Sequence, residues 1–515
     1  MNKRYKLGLT ILGLAIAGGA FAFWYVSTAP SREPSLVAWN ENCAICHGSA
    51  MEGTARGPSL ASPTATPYEE VENLIAAITL GNPGATDHIW GGKLTPQQIK
   101  GLALLISERR QRYPTTAASY ELIPSEDRLV ESQHHDFRLE RITTLNSRPY
   151  SIAPLPNGDV LVAEKTGGLS VIGEAGEQGP AIQSPAVHGT PEIRDFSVSF
   201  EGSWLTLGSL LDVELHPEFD KNGWIYLSHA DRCDWLCGWI VPGTMVRVVR
   251  GRISDGKWVD EEVIWSVHTD HYTPVPDAVA GGRLAFDKRG YLYVTVGGKN
   301  TYDKLHDLNT PFGKVHRVHS DGKISKDNPF WVEESARPEG STIHTVWSYG
   351  HRTGQGLDGH PVSGEIWNSE MGPRGGDEIN HILRGQNYGW PLYTNGLDYS
   401  GDEVSIGRDL GLDYPLEETV LPIVDFTPAP AVSSFAFHHG DRFTKWNEDI
   451  LLGTLKESAL YRIRIESGEL VEREKLVTQF GRIRDVAMGF NGLVYLAIEH
   501  GENGSLWRLT PANSI

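Results

Sequence analysis

The 515-residue sequence predicts a mainly β protein: a six-bladed β-propeller preceded by a small all-α domain and an apolar N-terminal segment. Three observations predict this order: an apolar run at the N-terminus, a cysteine–histidine motif soon after it, and a turn-plus-strand phrase repeated through the rest of the chain. The predicted boundaries are residues 1–30 for the apolar segment, 35–112 for the helical domain, 113–137 for a polar linker and 138–512 for the propeller.

The propeller is predicted from period-2 alternation of apolar residues, interrupted by Gly, Asn and Asp turns. A turn that leads into a strand recurs six times at intervals of roughly 50–80 residues. The six copies begin at Pro156, Phe219, Asp287, Ser363, Trp446 and Phe490. Six such units favour a propeller, which closes on itself and protects its sheet edges. A two-sheet sandwich is the competing all-β architecture, and the repetition disfavours it.

The N-terminal segment carries Lys3, Arg4 and Lys6 before an apolar run over residues 7–26. A basic flank followed by an apolar run of this length is typical of a membrane anchor whose N-terminus stays in the cytoplasm. The tripeptide Ala20–Ala22 also resembles a signal-peptidase site. We therefore expect a periplasmic body, either anchored to the inner membrane or released by cleavage.

The pentapeptide Cys43-Ala44-Ile45-Cys46-His47 is the attachment motif of a c-type haem. Its two cysteines bond covalently to the haem vinyl groups, and His47 is placed to become the proximal iron ligand. Together with the following Gly57–Leu60 and a terminal helix, this region resembles a class I cytochrome c domain over about residues 35–112. The fold class is therefore a cytochrome c domain fused to a β-propeller.

The distal iron ligand is expected to be a histidine. Class I domains usually offer a methionine ahead of the last helix, but residues 87–94 contain none. Met51 lies four residues after His47 and is badly placed to reach the opposite haem face. His88 occupies almost the expected position, so the sequence predicts a His/His iron.

The two remaining cysteines and the charge give weaker indications. Cys233 and Cys237 form a close pair that an oxidising compartment favours as a disulfide, although two reduced thiols remain an alternative. The formal net charge of −19 argues against nucleic acid and anionic membrane surfaces as partners.

Six motifs in the C-terminal region closely resemble the soluble PQQ-dependent aldose and glucose dehydrogenases, where PQQ is pyrroloquinoline quinone. Residues 347–357 read WSYGHRTGQGL and residues 369–380 read SEMGPRGGDEIN. Residues 387–391 belong with the second of these motifs, and the other four matches are residues 208–213, 282–284, 451–456 and 481–486. The resemblance covers about residues 138–510. It implies oxidation of a sugar or other alcohol or aldehyde at PQQ and Ca²⁺, with electrons leaving through the haem to an external cytochrome or quinone.

The resemblance also implies roles for individual residues. Lys456, Arg482 and Arg484 match the contacts to the cofactor carboxylates, and arginine forks suit such oxygens. Arg352 matches the residue that contacts the reactive quinone carbonyl. An ordinary surface ion pair with Asp485 is the alternative for the two C-terminal arginines.

Gly372 and Pro373 match the family's calcium site. A Gly-Pro turn exposes backbone oxygens, which Ca²⁺ prefers as ligands, and the metal would polarise the carbonyl to be reduced. A simple chain turn is the alternative interpretation.

Three positions depart from the family. The general-base histidine is replaced by Val279, which cannot accept a proton, while Thr353 replaces an asparagine and Leu207 a glutamine. His271, upstream of Val279, is the candidate replacement base, unless it is an ordinary loop histidine. These departures leave open an alternative function, in which a propeller without dehydrogenase activity serves as a binding or docking module on an electron-transfer cytochrome.

Overall fold

The computed structural model describes residues 34–61, 71–81, 89–111, 116–123, 128–165, 167–182, 198–200, 203–205, 210–233, 243–274, 280–298 and 300–512. The chain divides into two compact units: residues 1–111 with 397–403, called the helical unit, and residues 112–396 with 404–515, called the propeller unit. Five predicted features lie outside the described residues: the N-terminal segment 1–30, His88, Leu207, Cys237 and Val279.

The helical unit contains four described helices: α1 (Pro34–Asn42), α2 (Ala44–His47), α3 (Val71–Leu80) and α4 (Pro96–Gln111). Helices α1 and α3 both pack against α4. Their shared core includes the fully buried Trp39, Leu102 and Leu104. Gly101 allows the close approach of α1, because a Cβ at this position would lie 3.0 Å from Cβ of Ser35. Among the helices that the structure describes, none is long and apolar enough to span a bilayer.

The propeller unit consists of six antiparallel sheets, each beginning with an inner strand. Blade 1 contains β3 (Pro149–Pro154), β4 (Val160–Glu164) and β5 (Gly168–Ile172), and blade 2 contains β8 (Leu210–Leu215), β9 (Ile225–Cys233), β10 (Gly243–Ser254) and β11 (Lys257–Trp265). Blade 3 contains β12 (Gly281–Phe286), β13 (Tyr291–Val296), β14 (Lys314–His319) and β15 (Val346–Tyr349). Blade 4 contains β16 (Gly354–Gly359), β17 (Ile366–Glu370), β18 (Asp377–His381) and β19 (Val424–Phe426).

The remaining elements complete the ring. Blade 5 contains β20 (Val432–Phe437), β21 (Ile450–Thr454), β22 (Leu460–Glu466) and β23 (Glu469–Val477). Blade 6 contains β24 (Arg482–Met488), β25 (Val494–His500) and β26 (Asn503–Pro511), followed by β2 (Phe137–Leu145) and β1 (Arg128–Val130) from the other end of the domain. The hairpin β6–β7 (Val198–Phe200, Ser203–Leu205) and the short helices α5 (Thr116–Glu121), α6 (Phe219–Asn222) and α7 (Ile406–Asp409) lie in connections.

The six-bladed prediction is confirmed, and the sandwich alternative is wrong. Each inner strand packs beside the next, in the order β3, β8, β12, β16, β20, β24 and back to β3. Each predicted turn phrase connects the inner strand of one blade to its second strand. The pairing of β2 with β26 closes the ring, because it joins the N-terminal strand to the last blade.

Buried aspartates form hydrogen bonds between neighbouring inner strands. Asp212 Oδ2 accepts the Leu284 N–H at 2.7 Å, and Asp485 Oδ2 accepts the Ile152 N–H at 2.7 Å. Asp358 Oδ2 accepts the Phe437 N–H at 2.8 Å. Each bond joins one blade to the next. The carboxylates thereby accept hydrogen bonds from backbone N–H groups that line the channel and have no partner in the sheet.

The predicted linker, residues 113–137, differs from the expectation. It contains α5 and β1, and the propeller's first paired strand begins before residue 138. Val130 and Phe137 are buried in the core of blade 6. The apolar period is hard to recognise in this segment because β1 has only three residues, of which only Val130 is buried.

Candidate functional sites in the propeller mouth and the helical unit

All inner strands of the propeller begin at one face of the ring, which we call the mouth. Because the sheets are antiparallel, the second strand of each blade ends at this face. Arg352 precedes inner strand β16, Arg482 begins β24, and Glu499 lies near the end of β25. Residues that are far apart in sequence therefore meet at the mouth.

Arg482 and Arg484 converge on one buried carboxylate, that of Glu499. Arg484 donates from Nη2 and Nε to Glu499 Oε2 at 2.6 and 3.1 Å. Arg482 Nε lies 3.7 Å from the same oxygen. Both guanidinium groups therefore lie beside Glu499, and a β-bulge between Ile483 and Asp485 interrupts the ladder at Arg484.

Two further cations complete this group. Lys165 Nζ donates to Glu499 Oε1 at 2.7 Å, and Arg148 Nη1 lies 3.6 Å from it. We call Arg148, Lys165, Arg482, Arg484 and Glu499 the cationic cluster. All five side chains are buried, so four basic groups surround one carboxylate away from water.

The electrostatics of the cationic cluster follow from burial and proximity. Burial alone would raise the pKa of Glu499, but Arg484, Lys165, Arg482 and Arg148 hold it well below its usual range. Burial lowers the pKa of Lys165 to about 7, although Glu499 acts in the opposite direction. The Glu499 carboxylate therefore stays ionised. The four basic groups outnumber it and repel one another, so the cluster favours binding of an additional anion.

The alternative of a surface ion pair with Asp485 is wrong for both arginines. Asp485 Oδ1 instead pairs with Arg283 Nη1 at 3.1 Å. Arg283 also contacts Asp212 Oδ1 at 3.1 Å. This buried group joins the inner strands of three blades. Arg484 pairs with Glu499 instead of Asp485.

Sequence reasoning missed Glu499, Lys165 and Arg148. A weak signal was present: Glu499 and Lys165 are charged residues at or just beyond the ends of strongly apolar second strands, where a propeller presents its mouth. Arg148 precedes an inner strand in the same way. No local pattern shows that these three side chains meet.

Arg352 lies beside the predicted calcium turn. Its Nη1 donates to the Met371 carbonyl at 3.0 Å, and its guanidinium lies 5.4 Å from the Trp390 ring centroid. Glu370 accepts the backbone N–H groups of Arg352 and Thr353, and its other oxygen lies 2.9 Å from His351 Nδ1. Glu370 thus holds the Arg352 segment against the turn.

The turn at Gly372 and Pro373 is buried and tightly folded. Gly372 N–H donates to Asp377 Oδ1 at 2.9 Å, and a Cβ at Gly372 would collide with the carbonyl oxygens of Gly375 and Gly376. Burial raises the pKa of Asp377 to about 7, although backbone donors oppose this. Two backbone oxygens, those of Gly375 and Gly376, therefore lie close to Gly372, and backbone carbonyl oxygen is a donor type that Ca²⁺ uses.

The two remaining mouth candidates are less defined. Lys456 follows β21, and its backbone N–H donates to the Pro430 carbonyl at 3.0 Å. His271 Nε2 lies 3.1 Å from the Gly340 carbonyl oxygen, and its ring meets Phe312 edge-on at 6.2 Å. Burial lowers the pKa of His271, so the imidazole is neutral at pH 7. Its role as a base stays a prediction.

In the helical unit, Cys43, Cys46 and His47 share one helical face at i, i+3 and i+4 spacing. His47 Nδ1 lies 2.8 Å from the Pro58 carbonyl oxygen. Because a carbonyl only accepts, Nδ1 carries the hydrogen and Nε2 keeps its lone pair. Such an outer hydrogen bond orients a histidine for metal binding.

The cysteines of the two units differ. Cys43 and Cys46 are partly exposed and do not form a disulfide with each other. Burial, and secondarily Cys46, raises the pKa of Cys43 to about 11. Cys233 is disulfide-bonded, which disagrees with the reduced alternative.

The propeller unit is similar in sequence and in fold to several known proteins. Residues 146–508 match the glucose/sorbosone dehydrogenase family. The chain is 32% identical over 368 residues to the aldose sugar dehydrogenase YliI of Escherichia coli K12, covering 71% of this chain and 90% of that one. It is 27% identical to quinoprotein glucose dehydrogenase B of Acinetobacter calcoaceticus, covering 55% of this chain and 58% of that one. A crystal structure of a glucose dehydrogenase superposes with a TM-score of 0.60 at 32% identity, covering 72% of this chain and 98% of that chain.

Proposed function

This chain belongs to the glucose/sorbosone dehydrogenase family and is an oxidoreductase of that family, and we propose that it oxidises a sugar or related alcohol at PQQ bound in the propeller mouth. The cationic cluster is the observation that carries this proposal. Among the described residues, four buried basic side chains lie within 3.7 Å of the Glu499 carboxylate, so basic groups outnumber acidic ones in this cluster. A flat quinone that bears carboxylates supplies the missing negative charge.

The chain's own residues suit the proposed chemistry. PQQ, when bound, accepts the two electrons that leave the substrate. Arg482 and Arg484 would hold its carboxylates, and Arg352 would lie at the reactive carbonyl. Glu370 and the Met371 carbonyl fix the backbone and guanidinium of Arg352, so this charge is positioned before substrate arrives.

Ca²⁺ is the second proposed component. The converging backbone oxygens around Gly372 and Pro373 suit a hard cation, and Arg352 lies beside them through Met371. A metal at this turn would add positive charge beside the quinone carbonyl. The proton acceptor remains open between His271 and a group outside the described residues.

We further propose a covalent haem c in the helical unit, attached at Cys43 and Cys46 with His47 as one iron ligand and His88 as the other. The Pro58 carbonyl holds His47 with Nε2 available, which supports the assignment. Reduced PQQ carries two electrons, and a haem would remove them one at a time to an external cytochrome or quinone. Haem attachment and the N-terminal segment together favour a periplasmic protein, anchored to the inner membrane or released.

The second candidate function is a docking module without dehydrogenase activity. The substitution of the base position by Val279 favours it. A module of this kind would not need a cofactor site, so cofactor binding separates the two functions.

Cofactor binding is tested by titrating the full-length protein, purified without PQQ, with PQQ in the presence and absence of Ca²⁺. We expect binding only with Ca²⁺, and weaker binding by about 10- to 150-fold in Arg482→Ala and Arg484→Ala, since each loses a charge-assisted contact of about 1.5–3 kcal/mol. Arg442→Ala, at an exposed arginine, is the matched control. Unchanged affinity in both variants would show that these arginines are structural, and no binding at all would favour the docking module.

The haem proposal has its own test. Protein exported in cells that attach haem c should carry one covalent haem, detected by absorbance after denaturation, and Cys43→Ala with Cys46→Ala should carry none. His88→Met should raise the reduction potential, because a thioether ligand favours reduced iron. An unchanged low-spin oxidised spectrum in His88→Ala would contradict the distal assignment.

A further inference from the structure

Helix α5 covers the cationic cluster. It follows α4 in the chain, with residues 112–115 between them, yet it belongs to the propeller unit. The Tyr120 carbonyl oxygen accepts the N–H of Gly501, the residue after β25, at 3.0 Å. Helix α5 also lies against β25 and β7. It is therefore held at the mouth rather than extended away from it.

Two side chains of α5, Ser119 and Tyr120, contact the Arg482 guanidinium in the way that a bound ligand could. Arg482 Nη1 donates to Ser119 Oγ at 3.0 Å. The guanidinium carbon of Arg482 lies 4.1 Å from the Tyr120 ring centroid, a cation–π distance. An oxygen acceptor and the face of a flat ring are also what a planar aromatic carboxylate would present to the same guanidinium.

This arrangement closes the cluster to solvent. Ser119 is 0% and Tyr120 4% exposed, while Arg482 and Arg484 are each 6% exposed. A carboxylate cannot reach a guanidinium that is covered in this way, so entry of an anion requires the cover to move. A six-residue helix has little stability of its own, so the position of α5 depends on tertiary contacts such as those with Arg482 and Gly501.

We propose that α5 is an autoinhibitory cover, whose Ser119 and Tyr120 occupy the place of a cofactor carboxylate on Arg482 until PQQ displaces them. This inference rests on the proposed function. Helix α5 and the cofactor compete for the same guanidinium, so any interaction that holds α5 closed weakens cofactor binding by the same factor.

The test measures PQQ affinity of the full-length protein with Ca²⁺, comparing the wild type with Ser119→Ala and Tyr120→Ala. We expect each variant to bind PQQ about tenfold more tightly, because a contact to a charged group no longer has to be broken. Ile123→Ala, in the same segment at a side chain that is 66% exposed, should leave the affinity unchanged. Hydrogen exchange supplies a second readout: PQQ should increase exchange of the Gly501 amide and of the amides of residues 118–123 in the wild type.

A change of PQQ affinity in the opposite direction would overturn the proposal that α5 is a cover. Weaker PQQ binding by Ser119→Ala, with α5 amides more protected after PQQ addition, would make α5 a wall of the binding site. Equal affinity in all variants would also overturn it, since competition then has no effect. If wild type and variants all fail to bind PQQ, the proposed function fails first and the cover falls with it. Ser119→Ala removes only one oxygen, so it keeps the test valid if Tyr120→Ala disturbs folding.

Discussion

Replacing Val279 with histidine should raise PQQ-dependent aldose oxidation by about 10²–10⁴-fold, the usual contribution of general-base catalysis. The resemblance places the base at this position, four residues before Arg283. The backbone that follows is firmly held: Ala280 is buried, Gly281 and Gly282 adopt φ of 76° and 93°, and Arg283 is tied to Asp212 and Asp485. The resemblance implies that an imidazole at this position reaches the substrate.

The measurement is the steady-state rate with glucose and an artificial electron acceptor after loading with PQQ and Ca²⁺. Val362→His, at a surface valine that is 62% exposed, is the matched control and should show no gain. His271→Ala should lose whatever native activity the wild type has. Fast glucose oxidation by the wild type that survives His271→Ala would contradict this assignment of the base position.

Replacing Glu499 with glutamine should lower the free energy of unfolding by about 3–5 kcal/mol, the usual cost of removing one partner from a buried ion pair. Glu499 is 0% exposed and contacts Arg484, Lys165, Arg148 and Arg482. Its amide analogue keeps the shape but leaves four buried cations without a carboxylate. Chemical denaturation at pH 7 measures the loss, and Glu469→Gln, at an exposed glutamate of β23, is the control.

The effect should depend on pH in a defined direction. The pKa of Glu499 is well below its usual range in the folded protein, so the carboxylate contributes its stabilisation above the unfolded pKa of about 4.3. This contribution is lost as pH falls through the folded pKa. The stability difference between wild type and Glu499→Gln should therefore be full above about pH 5 and shrink in stronger acid. A difference that grows on acidification would show that Glu499 is not ionised in the folded state.

Much of the fold was predictable because its signals are local. Each blade repeats a turn, such as that at Phe219–Asn222, followed by a strand of alternating apolar residues, and both depend on neighbours in sequence. The Cys-x-x-Cys-His motif is equally local, since Cys43, Cys46 and His47 lie within five residues of one another. The motif that contains Arg482 and Arg484 is local as well, although a β-bulge between Ile483 and Asp485 interrupts the alternation of the strand.

The tertiary structure alone decided which groups these arginines meet. Lys165 and Glu499 are separated by 334 residues in sequence, and they meet because pairing of β2 with β26 closes the ring and brings the first and last blades together. The contact of Ser119 with Arg482 depends on the same closure. Sequence periodicity specifies the faces of a strand, whereas ring closure specifies which strand ends become neighbours. The amino-acid sequence by itself therefore determined the blades, the attachment motif and the candidate arginines, and the closed ring decided the carboxylate they share and the helix that covers them.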